Sequence, residues 1–266
     1  MIFLAVFIIA VIAFALLKFL ESVEASRKAK DSEDRYNHNR PEYLRLQKKF
    51  DDVRGKGPEE QDKIHLELRR IRKKEYTSRS RKQKTLAAIH ASMGEFIVAD
   101  CETTGLNTES HRIIEISAIR FNIDGGQIHS FSRLIKYRGK LPQKIVELTG
   151  ISDSEIKATG QDPNGVYKEF YEFVGEAPVF FHNASFDRKM IESNVARVLG
   201  SSAVRKLDTH CTLEMSREML SNLPNHRLAT VANFVGSSHK PSHRGIADAL
   251  ATKDVVMYLR RQALGI

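Results

Sequence analysis

Two acidic residues stand two positions apart behind a short apolar run. Asp100 and Glu102 follow the run 96–99, and Cys101 lies between them. Residues i and i+2 of a strand point to the same face, so both carboxylates would lie side by side while Cys101 packs on the other face. Carboxylates that close repel each other, and a divalent cation held by oxygen ligands is the simplest group to offset the charge. The pair predicts metal-dependent chemistry, although Asp-x-Glu alone is also common at the surface end of a strand.

Two more acidic residues and a histidine occur later in the chain. Asp187 comes directly after the run 178–186, which predicts a short buried strand that turns into a helix. Asp248 lies in an amphipathic stretch that continues to about Arg261, and His243 stands five positions before it. A histidine before a helix is often a polar or capping residue, but an unpaired carboxylate on an apolar helix face is costly. The acids therefore favour a site that uses their charge.

Four carboxylates and one imidazole suit a particular reaction. In a two-metal site, ions about 3.5–4 Å apart bracket a phosphodiester, one activating the attacking water and the other stabilising the departing oxygen. Four carboxylates offset two divalent charges, and an unprotonated histidine can take the proton of the water. The set predicts hydrolysis of a phosphodiester.

Three motifs in this order resemble the DEDDh exonucleases, such as the proofreading (epsilon) subunit of bacterial DNA polymerase III and its free-standing relatives. They are Asp-x-Glu-Thr-Thr-Gly at 100–105, His-Asn-Ala-x-Phe-Asp at 182–187, and a His followed five positions later by an Asp at 243–248. The resemblance runs from about residue 95 to residue 261. It includes the segments 112–116 and 148–152.

This resemblance implies roles for individual residues. Two Mg²⁺ or Mn²⁺ ions would be held by Asp100, Glu102, Asp187 and Asp248. His243 would be the general base. The residues that would line the pocket of the terminal nucleotide or lie beside the substrate are Thr103, Thr104, Leu106, Asn183 and Phe186. The backbone around Thr103 would reach the 3′-hydroxyl, and Leu106 would wedge against a base.

The elements that must position these residues indicate an α/β domain. Apolar runs predict strands at 95–100, 113–121, 128–135 and 178–181, with a hairpin turn at 124–127. Helices are predicted at about 143–148, 163–174 and 186–199, and in the stretch from 243 to about 261. The resemblance implies a ribonuclease-H-like mixed sheet flanked by helices, with a fifth strand and the start of the helix after it in the segment 207–213. Residue propensities alone indicate only an α/β fold.

The chain begins with a long apolar stretch. Residues 2–17 are all apolar, and the stretch continues to Leu20 with only Lys18 intervening. As a helix it would be about 28 Å long, just enough for a hydrocarbon core of about 30 Å. A cleaved signal peptide is the alternative, but no basic residue precedes the stretch and several follow it. The positive-inside rule then favours a single-pass anchor in a bacterial inner membrane, with the catalytic part in the cytoplasm.

Most of the positive charge lies behind this stretch. Residues 21–90 contain 20 Lys or Arg and 13 Asp or Glu, whereas the exonuclease-like part is nearly neutral. Pro58, followed by two Glu, is typical of a helix start, and basic clusters occur at 69–74 and 79–84. These clusters could bind anionic lipid, bind nucleic-acid phosphates or belong to a solvated spacer helix.

These observations predict three parts: a transmembrane anchor at 1–20, a basic, partly helical linker at 21–92 and an exonuclease domain at 93–266. The expected reaction is metal-dependent 3′→5′ hydrolysis that releases nucleoside 5′-monophosphates, with single-stranded DNA as the favoured partner. Two alternatives stay open: an RNA or oligoribonucleotide exonuclease of the same family, and a non-catalytic membrane tether that binds nucleic acid or a polymerase. The sequence identifies no polymerase or repair partner.

Overall fold

The computed structural model describes Lys48 and residues 58–266. Contacts divide the chain into two units, Met1–Thr77 and Ser78–Ile266, and the second contains every candidate site residue. A long helix, α1, spans Pro58–Ala91, so its residues from Ser78 onward belong to the second unit. The second half of the predicted linker thus contains a helix.

A five-stranded mixed sheet runs through the second unit. The strands are β1 Phe96–Thr103, β2 Ile113–Phe121, β3 Gln127–Leu134, β4 Val179–Phe181 and β5 Thr209–Cys211. Their spatial order is β3-β2-β1-β4-β5. β1 pairs antiparallel with β2 and parallel with β4, which in turn pairs parallel with β5. The strand β1 is therefore central.

The remaining helices cover the two faces of this sheet. They are α2 Gln143–Thr149, α3 Asp153–Thr159, α4 Pro163–Val174, α5 Ala184–Leu199, α6 Thr212–Met219, α7 Leu228–Phe234 and α8 Gly245–Leu264. Apolar residues of α4 and α5 form one cluster with the sheet. Residues of α8, α6, α7 and the end of α1 form a second cluster with it. This arrangement confirms the predicted mixed sheet flanked by helices.

Some element boundaries differ from the predicted ones. β1 continues to Thr103 instead of ending at residue 100, because its ladder with β2 still pairs Glu102 with Glu115. The hairpin turn lies earlier, since the Asn122 carbonyl accepts the Gly125 N–H and the Asn122 side chain accepts the Gly126 N–H. Two helices, α3 and α7, have seven residues each and were not predicted.

Among the residues described, no helix is both long and apolar enough to cross a membrane. The predicted anchor, residues 1–20, lies outside them.

Candidate active site

The first two carboxylates lie on the face of β1 that points toward α8. Ile97, Ala99 and Cys101 pack in the cluster with α4 and α5, while residues of opposite parity, such as Val98, pack in the cluster with α8. Because side chains alternate along a strand, Asp100 and Glu102 share the α8 side. Asp100 is partly buried and Glu102 is buried.

The start of α8 provides the third carboxylate and the imidazole. Asp248 lies in the first turn of the helix, and its carboxylate accepts the Ser242 N–H at 2.8 Å. His243 precedes the helix in a left-handed backbone conformation, φ 54°, so the predicted helix does not include it. One ligand atom from each of Glu102, His243 and Asp248 lies within 4.8 Å of the other two.

The fourth carboxylate comes from a helix that packs on the other face of the sheet. Asp187 is buried in the first turn of α5, directly after β4. The helix begins at Asn183, which has φ 85°, a conformation that Asn adopts more readily than most residues. The charge of Asp187 raises the pKa of Asp100, and that of Glu102 raises the pKa of Asp187. The four acids therefore form one electrostatic cluster.

Burial raises the pKa of every carboxyl group in this cluster, and repulsion from neighbouring acids raises the pKa of Asp100, Glu102 and Asp187 further. Burial raises the pKa of Asp100 well above its usual range, and the neighbouring acids raise it further. Burial, with the charges of Asp248 and Glu115, raises the pKa of Glu102 to about 7. Burial raises the pKa of Asp187 to about 8 and also raises the pKa of Asp248, against the N–H groups that Asp248 accepts. Without a cation, ionisation of all four groups is costly.

This donor set fits divalent cations. Hard divalent ions prefer carboxylate oxygens, and two of them offset the repulsion among four buried carboxylates. The imidazole of His243 is exposed, and one of its nitrogens lies within 4.8 Å of a carboxylate oxygen of Glu102 and of Asp248. Its position suits either a ligand or a proton acceptor next to the ions.

The predicted substrate residues surround the cluster. The Thr103 hydroxyl donates to the Gly105 carbonyl at 2.9 Å, and the Thr104 hydroxyl accepts the Arg112 N–H at 3.0 Å. These bonds fix the segment that leads to Leu106, whose side chain is 83% exposed.

An open depression of about 490 Å³ lies between this segment and the first turn of α5. Leu106 and Phe186 line it together with Lys189, and Asn183 is exposed at the start of the helix. The lining of this depression therefore includes an apolar side chain from each of two segments, together with one cation, Lys189, and one acid, Glu109.

Sequence reasoning missed a fifth buried acid. Glu115 lies on β2 opposite Glu102, where its carboxylate accepts the Gly245 N–H at 3.0 Å and pairs with Arg244 at 3.4 Å. A Cβ at Gly245 would lie 2.5 Å from the Ser117 hydroxyl, so the close approach of α8 to β2 requires glycine. Two signals in the sequence pointed to it: a carboxylate in the apolar run 113–121, which is costly unless it is paired, and its place in the segment 112–116 of the family resemblance.

Comparison with known proteins places this site in a family. The model of the family described as Exonuclease (RNase T) matches residues 97–256. The chain belongs to this exonuclease family. The match includes all five residues of the acid and histidine motifs, and the resemblance to the DEDDh 3′–5′ exonucleases is confirmed.

Curated relatives of this exonuclease domain are much longer polymerases. The PolC-type DNA polymerase III of Halalkalibacterium halodurans is 36% identical over 171 residues, which are 64% of this chain and 12% of the relative. The PolC-type polymerase of Clostridium perfringens is 33% identical over 165 residues, 62% of this chain and 11% of the relative. The chain thus spans only a small part of their length.

Solved structures of exonuclease I share the exonuclease fold. The E. coli enzyme in complex with a dT13 oligonucleotide has a TM-score of 0.55 and 20% identity, over 65% of this chain and 42% of that one. A zinc-bound complex of E. coli exonuclease I with single-stranded DNA has a TM-score of 0.57 and 19% identity, over 65% and 41%. At this identity the likeness establishes the ribonuclease-H-like fold.

Proposed function

We propose that the protein is a metal-dependent 3′→5′ exonuclease that releases nucleoside 5′-monophosphates from nucleic-acid 3′ ends. The observation that carries this proposal is the convergence of β1, α5 and the start of α8 on one cluster of four carboxylates beside an exposed histidine. Family membership agrees with it.

The four acids and His243 would have different roles in the reaction. Asp100, Glu102, Asp187 and Asp248 would hold two divalent cations, Mg²⁺ or Mn²⁺. When bound, such ions activate a water and stabilise the charge on the departing oxygen.

The imidazole of His243 accepts a proton from the attacking water. The water oxygen bonds to phosphorus, and the bond from phosphorus to the 3′ oxygen of the preceding nucleotide breaks. That oxygen takes a proton from solvent. The products are a strand shortened by one nucleotide and a nucleoside 5′-monophosphate.

The residues around the depression beside the cluster would hold the terminal nucleotide. Leu106 and Phe186 supply apolar surface for a base. Thr103, Thr104 and Asn183 lie next to them and supply polar groups. We favour single-stranded DNA as the substrate, because the curated relatives are DNA polymerases and the exonuclease I structures contain DNA oligonucleotides. An RNA substrate would require the pocket to accept a 2′-hydroxyl.

We also propose that residues 1–20 anchor the enzyme in a membrane with the catalytic domain in the cytoplasm. The proposal is supported by the apolar stretch and by the basic residues that follow it. Membrane fractionation of cells that express the full chain tests it, since alkaline extraction should leave an anchored protein in the pellet.

Loss of single ligands tests the activity. Asp100→Asn and Asp248→Asn should lower Mg²⁺-dependent degradation of a 5′-labelled (dT) oligonucleotide by a factor of about 10³ or more, because buried charge stabilises the reaction. Asp124→Asn, a change at an exposed position, is the matched control.

A panel of single- and double-stranded DNA and RNA identifies the substrate. Activity retained in either ligand variant would reject this site as the catalytic centre, whereas a parent chain that degrades none of the substrates would favour a scaffold role.

His243 has a separate test. His243→Ala should lower kcat by a factor of about 10²–10⁴, the range for general-base catalysis, while calorimetry shows nearly unchanged Mn²⁺ affinity. Loss of Mn²⁺ affinity together with activity would instead make His243 a ligand.

A further inference from the structure

A cavity of about 880 Å³ lies on the side of the sheet that α4 and α5 cover. Tyr167 of α4 and Val198 of α5 line it, and both belong to the apolar cluster that contains Cys101. Asp100 and Glu102 point to the other face of β1. None of the described residues that line the cavity belongs to the candidate active site, and the proposed reaction gives the cavity no role.

The rim of this cavity carries excess positive charge. Four exposed cations lie on it: Lys136, Arg138, Lys140 and Lys157. Within residues 58–266, none of them forms an ion pair. The two acids of the lining bond to backbone, because Asp153 accepts the Leu141 N–H at 2.9 Å and Asp162 accepts the Gly165 N–H at 3.4 Å. Unpaired cations around a concave, low-dielectric wall concentrate anions there.

The cavity also offers a hydroxyl group without a protein partner. Tyr167 is 1% exposed as a residue and lines the cavity, and in the described part of the chain its hydroxyl makes no hydrogen bond. The hydroxyl is not among the unpartnered atoms that are closed off from solvent, so it opens into the cavity, where it is available to bond to a ligand. A second aromatic residue, Tyr137, lies half-buried in the lining and folds over its own loop, since a Cβ at Gly139 would lie 2.6 Å from the Tyr137 hydroxyl.

We propose that this cavity binds a nucleoside phosphate, with the phosphate on the cationic rim and the base beside Tyr137 and the Tyr167 hydroxyl. Cations bind phosphate oxygens strongly, and a tyrosine ring offers a stacking surface for any base. The ligand could be a free mononucleotide or one nucleotide of a strand. The choice of nucleotides over other phosphates rests on the proposed exonuclease function, which brings both sources to the protein.

Binding by the full chain carrying Asp100→Asn, measured in EDTA, tests the site without hydrolysis. The probes are a fluorescent nucleoside 5′-monophosphate and a 5′-fluorescein (dT)15, followed by anisotropy. The double variant Arg138→Glu/Lys140→Glu should raise Kd at least about tenfold, because charge-assisted contacts are lost. The pair Lys144→Glu/Lys206→Glu, with the same charge change at exposed positions, should alter Kd by less than about twofold.

Tyr167→Phe separates this cavity from a general basic surface. The change removes a hydroxyl that bonds to nothing within the described chain, so Tm should stay the same or rise, whereas Kd should rise about fivefold if the hydroxyl bonds to the ligand.

Weaker binding of the mononucleotide in both variants identifies the free nucleotide as the ligand. Weaker binding of the strand in both, with a salt slope reduced by about 0.7 for each lost contact, identifies a nucleotide within a strand. The proposal is overturned if the double variant binds both probes with the Kd of the parent. It is also overturned if the double variant binds more weakly while Tyr167→Phe leaves Kd unchanged.

A further experiment distinguishes failure of the cavity proposal from failure of the proposed function. It uses the double variant Arg138→Glu/Lys140→Glu in a chain that retains Asp100. Its hydrolysis of thymidine 5′-(p-nitrophenyl phosphate), which is too small to span both sites, should stay within about twofold of the parent. If the parent itself fails to hydrolyse this ester and DNA, the exonuclease proposal fails, while the binding result still decides the cavity.

Discussion

Glu115 links the two elements that carry most of the acidic cluster. It lies opposite Glu102 in the β1–β2 ladder and accepts the N–H of Gly245, the first residue of α8. The same carboxylate pairs with Arg244, whose charge lowers the pKa of Glu102. Glu115 thus acts as a positioning residue that influences both the location of α8 and the charge around the candidate ligands.

The pH profile of Glu115→Gln tests this role. The charge of Glu115 raises the pKa of Glu102 and of Asp100, so its removal lowers both and the ligands ionise at lower pH. The acid limb of the kcat/KM profile should move down by about 0.5–1 pH unit. Glu169→Gln, an exposed change on the other side of the sheet, should leave the limb in place. A slower enzyme with an unmoved limb would mean that Glu115 acts through packing alone.

The sequence pointed to the candidate ligands more directly than to the residues that support them. Asp100, Glu102, Asp187 and Asp248 could be found as candidates because they stand in motifs that resemble those of a known family, at a strand end or a helix start. The role of Glu115 depends on strand register, which pairs it with a residue 13 positions earlier. Local periodicity marks 113–121 as a strand but contains no information about that partner.

At the scale of elements, the last turns of α1 belong to the hydrophobic core of the exonuclease domain. Ala88 and Ile89 are buried in the cluster with α8, and Arg260 of α8 donates to the Ser92 carbonyl at 2.6 Å. The prediction for this region was a linker to residue 92 with solvated or ligand-binding basic clusters. The helix-start signal and the basic clusters of this segment do not indicate which of its turns become buried.

Ile89→Ala measures the contribution of this helix. Ile89 lies before the start of the family match at residue 97, yet its truncation should lower the free energy of unfolding by about 2–4 kcal/mol, as for other buried isoleucines. Urea denaturation of the full chain gives the value. Ile123→Ala, at a partly exposed position, should cost under about 1 kcal/mol. Equal effects of the two changes would mean that α1 contributes nothing to the domain's stability.

The elements absent from the predictions are short or assembled from distant segments. α3 and α7 have about two turns each, too few for a 3.6-residue period to emerge. The cationic cavity joins side chains from β2, the loop after β3, and α3 to α5. No single window of sequence contains them.

At the scale of the whole molecule, the acidic cluster couples stability to pH and metal. In the metal-free protein the pKa of Glu102 is about 7 and that of Asp187 about 8, both above their values in an unfolded chain. The folded state therefore keeps protons that the unfolded state releases, and stability falls as pH rises from about 5 to about 8. A carboxyl group whose pKa is higher by one in the folded chain than in the unfolded chain contributes about 1.4 kcal/mol to this loss.

Thermal denaturation in EDTA should show a Tm that falls between pH 5.5 and pH 8, and excess Mg²⁺ should restore it at pH 8 because the ions bind the ionised ligands. Asp187→Asn should flatten the dependence, whereas the exposed Asp124→Asn should preserve it. A Tm that rises over this range without metal would contradict the repulsive cluster.

The two non-glycine residues with positive φ within 58–266, Asn183 and His243, bracket the carboxylates from either side. Left-handed backbone costs most side chains about 1 kcal/mol or more, and β-branched ones the most. Redesign of this enzyme is therefore restricted by the backbone conformation. At these two positions a substitution must first tolerate a positive φ, whatever chemical group it introduces. Most members of a library that varies both positions freely would be destabilised by about 1 kcal/mol or more at each of them.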